Sequence, residues 1–162
     1  MSLSFNCPIN SVSFGQVSVA LLREAFKNGG PVNFLPIGEK IDLDCQEEDK
    51  DFSTRLDGAI KSFVLSHKRD DPSLRLWHLN GSNNFISDNQ ALLTFYELDS
   101  PTEAEVNIAK NNRKVILSSS YATEIFKAKD VDAHFVPLGF DRSNFKTLDK
   151  KYFDDDRIVF NL

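Results

Sequence analysis

QALLTFYELDSPTEAEVNIAKNN, residues 90–112, is the stretch from which the rest of this chain is read. Its apolar run, residues 92–98, has the composition of a buried strand and ends in the acids Glu97 and Asp99. A helix-start signal follows at once. Ser100 is placed to cap, Pro101 to take the first helical position, and Glu103 to reach back and complete a capping box. A strand that passes directly into a helix N-terminus is the unit of an open α/β sheet. Ligands of such sheets gather where carboxyl ends of strands and helix N-termini converge.

The same unit recurs along the chain. Residues 3–9 read as a short buried strand and 10–16 (NSVSFGQ) as a polar loop with one Gly. Residues 17–28 form an amphipathic helix, with Val17, Leu21 and Ala25 in one row, Val19, Leu22 and Phe26 in the next, and Arg23 and Lys27 toward water. Gly29-Gly30-Pro31 stops it, and residues 32–37 give the next strand. Seven acids in residues 38–51 mark a solvated loop. A second amphipathic helix spans 52–67 and is broken by Asp70-Asp71-Pro72. Further strands are expected at 74–79, 92–98, 115–118 and 134–138, with helices over 100–112 and from Ser119 or Ser120 onward. Short apolar strands alternating with helices predict an α/β fold: a doubly wound, mainly parallel, Rossmann-like sheet with helices on both faces. Residues 146–156 read as a charged linker and 157–162 (RIVFNL) as the first strand of a further domain, so one domain is expected over 1–156.

Composition narrows the function. The chain has 162 residues, enough to bury a core as one domain. Its net charge is −5 with no basic cluster, which argues against a nucleic-acid partner and gives no reason for attraction to an anionic membrane. No apolar run approaches the ~20 residues of a transmembrane segment. The start, MSLSFNCPIN, lacks the charged head and apolar core of a signal peptide. Cys7 and Cys45 read as free thiols, and a cytoplasmic location is expected.

Candidate sites lie at the strand ends. The turn of residues 10–16 can offer backbone N–H groups to a phosphate or a sugar, or be a plain β–α turn. It lacks GxGxxG, and Ile37-Gly38 rather than an acid ends the second strand, which counts against an NAD-dependent oxidoreductase. His78 and Asn80 follow a strand; Asn can bind sugar hydroxyls and His can act as a base, although a lone His there also serves structure. Glu97 and Asp99 lie two apart, so a continuing strand points both to one side as a paired acid site. Otherwise Glu97 is a surface charge and Asp99 a helix-entry residue. Three scattered His residues and two distant Cys give no metal motif.

Taken in order, these segments resemble the N-terminal domain of GT-B glycosyltransferases, in the group 1 (family four) retaining class. NSVSFGQVSVALLREAFKNGG is similar to that family's first loop and helix, and PVNFLP to its next strand. LLTFYELD falls where the family has a strand ending in a T-x-H-D turn, VILSSSYATEIF at a later strand and helix, and VPLGFDRSNF at the xPNGVDxxxF segment that closes the domain. The resemblance implies a hexosyltransferase whose N-terminal half mainly binds a sugar acceptor. A C-terminal domain, beginning at 157–162, would bind the nucleotide-sugar donor. No cofactor and no metal are implied. Glu97 is the implied catalytic residue. Gly15, Gln16, Tyr96, Ser119 and Gly139, together with His78, Asn80 and Asp99 from the strand ends, are the candidate substrate-binding residues, with Gly139 alternatively the glycine of a tight turn. Two departures stand out: Tyr96-Glu97 replaces the family's His-Asp, and Leu138 replaces its Asn. The alternative reading is a stand-alone, non-catalytic α/β binding module.

Overall fold

The computed structural model describes residues 2–144. The linker and the opening strand of a further domain expected at 146–162 lie outside the described residues. Six parallel strands form one sheet in the order β2-β1-β3-β4-β5-β6: β1 Leu3–Cys7, β2 Val32–Pro36, β3 Pro72–Leu76, β4 Asn89–Thr94, β5 Lys114–Leu117 and β6 Ala133–Phe135. Four helices connect them: α1 Ser13–Lys27, α2 Lys50–Ser66, α3 Glu103–Asn111 and α4 Ser120–Lys127. Only β3 and β4 are joined without an α-helix, by a loop holding the 3₁₀ turn Leu79–Gly81. The expected doubly wound α/β fold is the observed one.

Strand order explains where the helices go. The chain leaves β1 toward β2 and afterwards winds the other way, from β3 to β6. Right-handed crossovers place α1 on one face and α3 and α4 on the other. Helix α2 runs along the edge strand β2 and meets α1, with the Phe52 ring 5.8 Å from Phe26 and Arg55 donating to the Phe26 carbonyl. Alternation along the strands agrees. Leu74, Leu93 and Ile116 share a groove with Val17, Ala20 and Leu21 of α1. Leu92, Val115 and Leu117 instead pack with Ala109 of α3 and Ala122 and Phe126 of α4. Phe34, Leu22, Val19, Leu92, Val115, Leu117 and Phe126 are fully buried. Each such side chain contributes about 1.5–3 kcal/mol from leaving water. Among the described residues no helix is long and apolar enough to cross a membrane.

The second layer under the sheet is polar. His67 Nε2 lies 2.8 Å from the Ile86 carbonyl, which can only accept, so this nitrogen carries the proton and Nδ1 accepts from the Ser4 hydroxyl at 2.8 Å. Asn33 donates to Ser2 and Ser4 and accepts from Ser62 at 2.7 Å. Gln90 donates to the Ser82 carbonyl and to Asn112 Oδ1, both at 2.9 Å. Arg75 donates to Asn6 Oδ1 and to the carbonyls of Asn84 (3.0 Å) and Gly81 (2.9 Å). Burial without a facing carboxylate lowers the Arg75 pKa. These bonds bolt the β3–β4 loop to the underside of the sheet.

Strands β1, β3 and β6 end two to three residues before the expected 9, 79 and 138. Three further boundary differences bear on the site. The first helix begins at Ser13 rather than 17, because Asn10 Oδ1 takes the Val12 N–H at 3.1 Å in a tight turn that starts the helix early. Strand β4 ends at Thr94, so Glu97 and Asp99 belong to a loop and are not a strand-borne pair. Helix α3 is capped by Thr102, not Ser100. Its hydroxyl accepts from Glu105 N–H at 3.2 Å, and Glu105 Oε2 accepts from Thr102 N–H at 2.8 Å. Pro101 therefore precedes the cap, and the reciprocal acid is Glu105 rather than Glu103.

Candidate functional site

Where β3 and β4 end, four segments enclose a cavity of about 370 Å³. The first turn of α1 contributes Phe14. The loop after β3 contributes His78 and Asn80, the run after β4 contributes Phe95, Tyr96 and Glu97, and α3 contributes Glu105. The cavity lies on the carboxyl side of the sheet and next to the β1/β3 junction, where the winding direction reverses. That is the crevice in which open α/β sheets bind ligands.

Its walls are aromatic. The Phe14 ring lies 4.5 Å from the His78 ring and 4.8 Å from Phe95, and Trp77 lies 5.2 Å from His78. Tyr96 packs edge-on against Phe126 at 4.9 Å. A Cβ on Gly81 would come within 2.5 Å of the Trp77 indole, so a side chain here would displace Trp77 from the 3₁₀ turn. Arg75, holding the Gly81 and Asn84 carbonyls, fixes this loop from beneath and so positions His78 and Asn80.

Its polar groups are open. Among the described residues the side chains of His78, Asn80 and Glu97 have no hydrogen-bond or ion-pair partner, and all three are exposed. Glu105 uses Oε2 for the cap and for the Tyr96 hydroxyl at 3.5 Å, which leaves Oε1 without a partner among the described residues. Burial, the Glu105 carboxylate and then Asp99 raise the Tyr96 pKa, so the phenol keeps its proton and can donate.

The structure brings four of the sequence-derived candidates together: His78, Asn80, Tyr96 and Glu97. The others fall elsewhere. Gly15 is in the first turn of α1, where a Cβ would collide with the Asn10 backbone; its lack of a side chain is used by the chain itself. Gln16 and Gly139 line a second cavity of about 460 Å³ between α1, the sheet and residues 136–141. Gln16 also accepts from Gln46 (2.5 Å) and Asn144 (3.4 Å), tying the acidic loop and residue 144 to α1. Ser119 caps α4, accepting from Ala122 N–H at 3.2 Å. Asp99 is exposed in the β4–α3 loop, close enough to Tyr96 to affect its proton.

Of the two cavities the smaller suits a polar ligand better. The larger has an apolar floor of Leu74, Leu93 and Ile116, whereas the smaller combines aromatic walls with convergent, unpartnered polar groups. Sequence reasoning missed Phe14 and Glu105. Phe14 was hidden by placing the helix start four residues late. Glu105 was legible in the T-x-x-E signature of residues 102–105, which the competing S-x-x-E at 100–103 obscured. Comparison with known proteins found no matching family model, no matching curated protein and no matching solved structure.

Proposed function

We propose that this chain is the acceptor-binding half of a glycosyltransferase of the GT-B type, moving a hexose from a nucleotide sugar to a hydroxyl-bearing acceptor. The observation that carries this reading is the convergence of the His78, Asn80 and Glu97 side chains, without hydrogen-bond or ion-pair partners among the described residues, on an aromatic-walled cavity at the carboxyl rim of the sheet. Sugars present alternating hydroxyls and an apolar C–H face, which that combination suits. Glu97 accepts from the acceptor hydroxyl and orients it, His78 and Asn80 hold neighbouring hydroxyls, and the rings meet the C–H face. In retaining transfer the acceptor attacks from the side on which the nucleotide departs. The contribution of this half is therefore orientation, which can supply a large part of a rate enhancement. The donor half and its phosphate-binding groups belong to the C-terminal domain that the family resemblance implies.

The test is saccharide binding followed by transfer. The chain is expected to bind neutral monosaccharide glycosides, to lose that binding in His78→Ala and Glu97→Ala, and to retain no NAD. Absence of saccharide binding would contradict the reading. A second reading, a binding module without catalysis, is favoured by one observation: Tyr96-Glu97 stands where the resembled family has His-Asp. Assaying the full reading frame with nucleotide sugars separates the two, since only the first yields a glycosylated product.

A further inference from the structure

The charge of the rim cavity selects among sugars. Its lining includes the carboxylates of Glu97 and Glu105 and, among the described residues, no Lys or Arg. Asp99 adds a third carboxylate close to Tyr96. Two helix N-termini, those of α1 and α3, open nearby, and each supplies about half a positive charge. Together they offset about one of the three carboxylates, so the cavity stays negative. A phosphate or carboxylate ligand is repelled there. A cation is attracted by the carboxylates, and a sugar ring carrying it meets the aromatic lining of Phe14, Phe95 and Tyr96.

Glu97 strengthens the case, because among the described residues its carboxylate has no cation or donor to satisfy it, unlike Asp51, Asp88 and Asp132, each paired with Arg55, Arg69 or Lys114. Glu105 is held rigid by the capping box, with Oε1 outside it. A fixed carboxylate, an unpaired carboxylate and aromatic walls form a receptor for an ammonium group carried on a polyhydroxylated ring.

We propose that the acceptor taken by this cavity is a sugar or cyclitol bearing a protonated amine, with Glu97 and Glu105 Oε1 meeting the ammonium and the aromatic rings meeting the ring C–H face. This rests on the acceptor-binding reading above and narrows it. The test is ligand-observed NMR on the whole chain at neutral pH and low salt with three probes: methyl glucoside, its aminodeoxy derivative carrying a primary alkylamine, and glucose phosphate. The amine is expected to bind about two- to fivefold more tightly than the neutral glycoside, the scale of an exposed ion pair, and the phosphate least. The preference should shrink as salt is added. Glu97→Gln should weaken both sugars and abolish the difference between them. Equal binding of amine and neutral glycoside, or an amine preference untouched by Glu97→Gln, would overturn this proposal and leave the acceptor reading standing. Failure of all three probes to bind would overturn both.

Discussion

Asn6, Asn33 and Asn112 lie under the sheet with both ends of their amides engaged, whereas the Asn80 side chain at the rim bonds to no group among the described residues. The two histidines divide the same way. His67 is locked in one tautomer between Ser4 and Ile86, while the His78 ring, among the described residues, has no hydrogen-bond partner and packs against Phe14 and Trp77. Leaving a buried polar group unsatisfied costs about 1–3 kcal/mol, and most of this layer is paired, although Ser73 Oγ, Arg75 Nε and Gln90 Oε1 have no partner among the described residues. Rim groups have water, and so they remain available to a ligand. The polar layer therefore serves the fold, and the rim is where the same residue types are left for function. Arg75 links the two regions, anchored among Asn6 and loop carbonyls below while the loop it grips carries His78 and Asn80 above.

Removing that link should give the largest effect. Arg75→Ala leaves Asn6 Oδ1 and the Gly81 and Asn84 carbonyls without their donor. We expect a loss of about 3 kcal/mol or more in urea unfolding, together with weaker saccharide binding. Unchanged stability would break the proposed link. Gly81→Ala should come next, at about 1–3 kcal/mol, because the added methyl drives into Trp77. Trp77 is the chain's single tryptophan, so its native emission should shift in the same variant.

The thiols sharpen the contrast by titration. Burial pushes the Cys7 thiol from 9.0 up to about 12, while Cys45 is exposed. The unfolded chain ionises this thiol above pH 9 and the folded chain resists doing so. The corresponding stability is thus fully present below pH 9 and is lost as pH climbs toward about 12, at about 1.4 kcal/mol per pH unit. Unfolding midpoints of the native chain should fall accordingly, and Cys7→Ala should lack that component. Alkylating reagents should modify Cys45 alone in the folded protein. The smallest stability change belongs to the rim: Glu97→Gln should stay within about 0.5 kcal/mol of the native chain. A large loss on that substitution would place Glu97 among the groups that hold the fold together.

The alternation of apolar strands with capped helices made the sheet legible, because periodicity reports burial directly. Residues 90–112 proved to hold a central strand and a capped helix, with β4 between β3 and β5. Segment ends were less legible because they depend on competing local hydrogen bonds. Ser100 and Thr102 both begin an S/T-x-x-E signature, and only the fold selects Thr102. Of the site, His78, Asn80, Tyr96 and Glu97 could be found as polar or aromatic residues at strand ends. The role of Gly15 could not, since its neighbour Asn10 is brought against it by the early helix start. Nor could Arg75 be recognised as a support, because its partners are two loop carbonyls and an asparagine far away in the chain.

The central claim is that the rim, and not the larger apolar groove, receives the ligand. It is tested most directly by assigned amide NMR of the chain titrated with methyl glucoside. The account predicts shifts confined to residues 13–14, 78–80, 95–98 and 105, with the buried amides of Asn33 and Asn112 unmoved. Shifts clustered on α1 and residues 136–141, or no shifts at all, would contradict it.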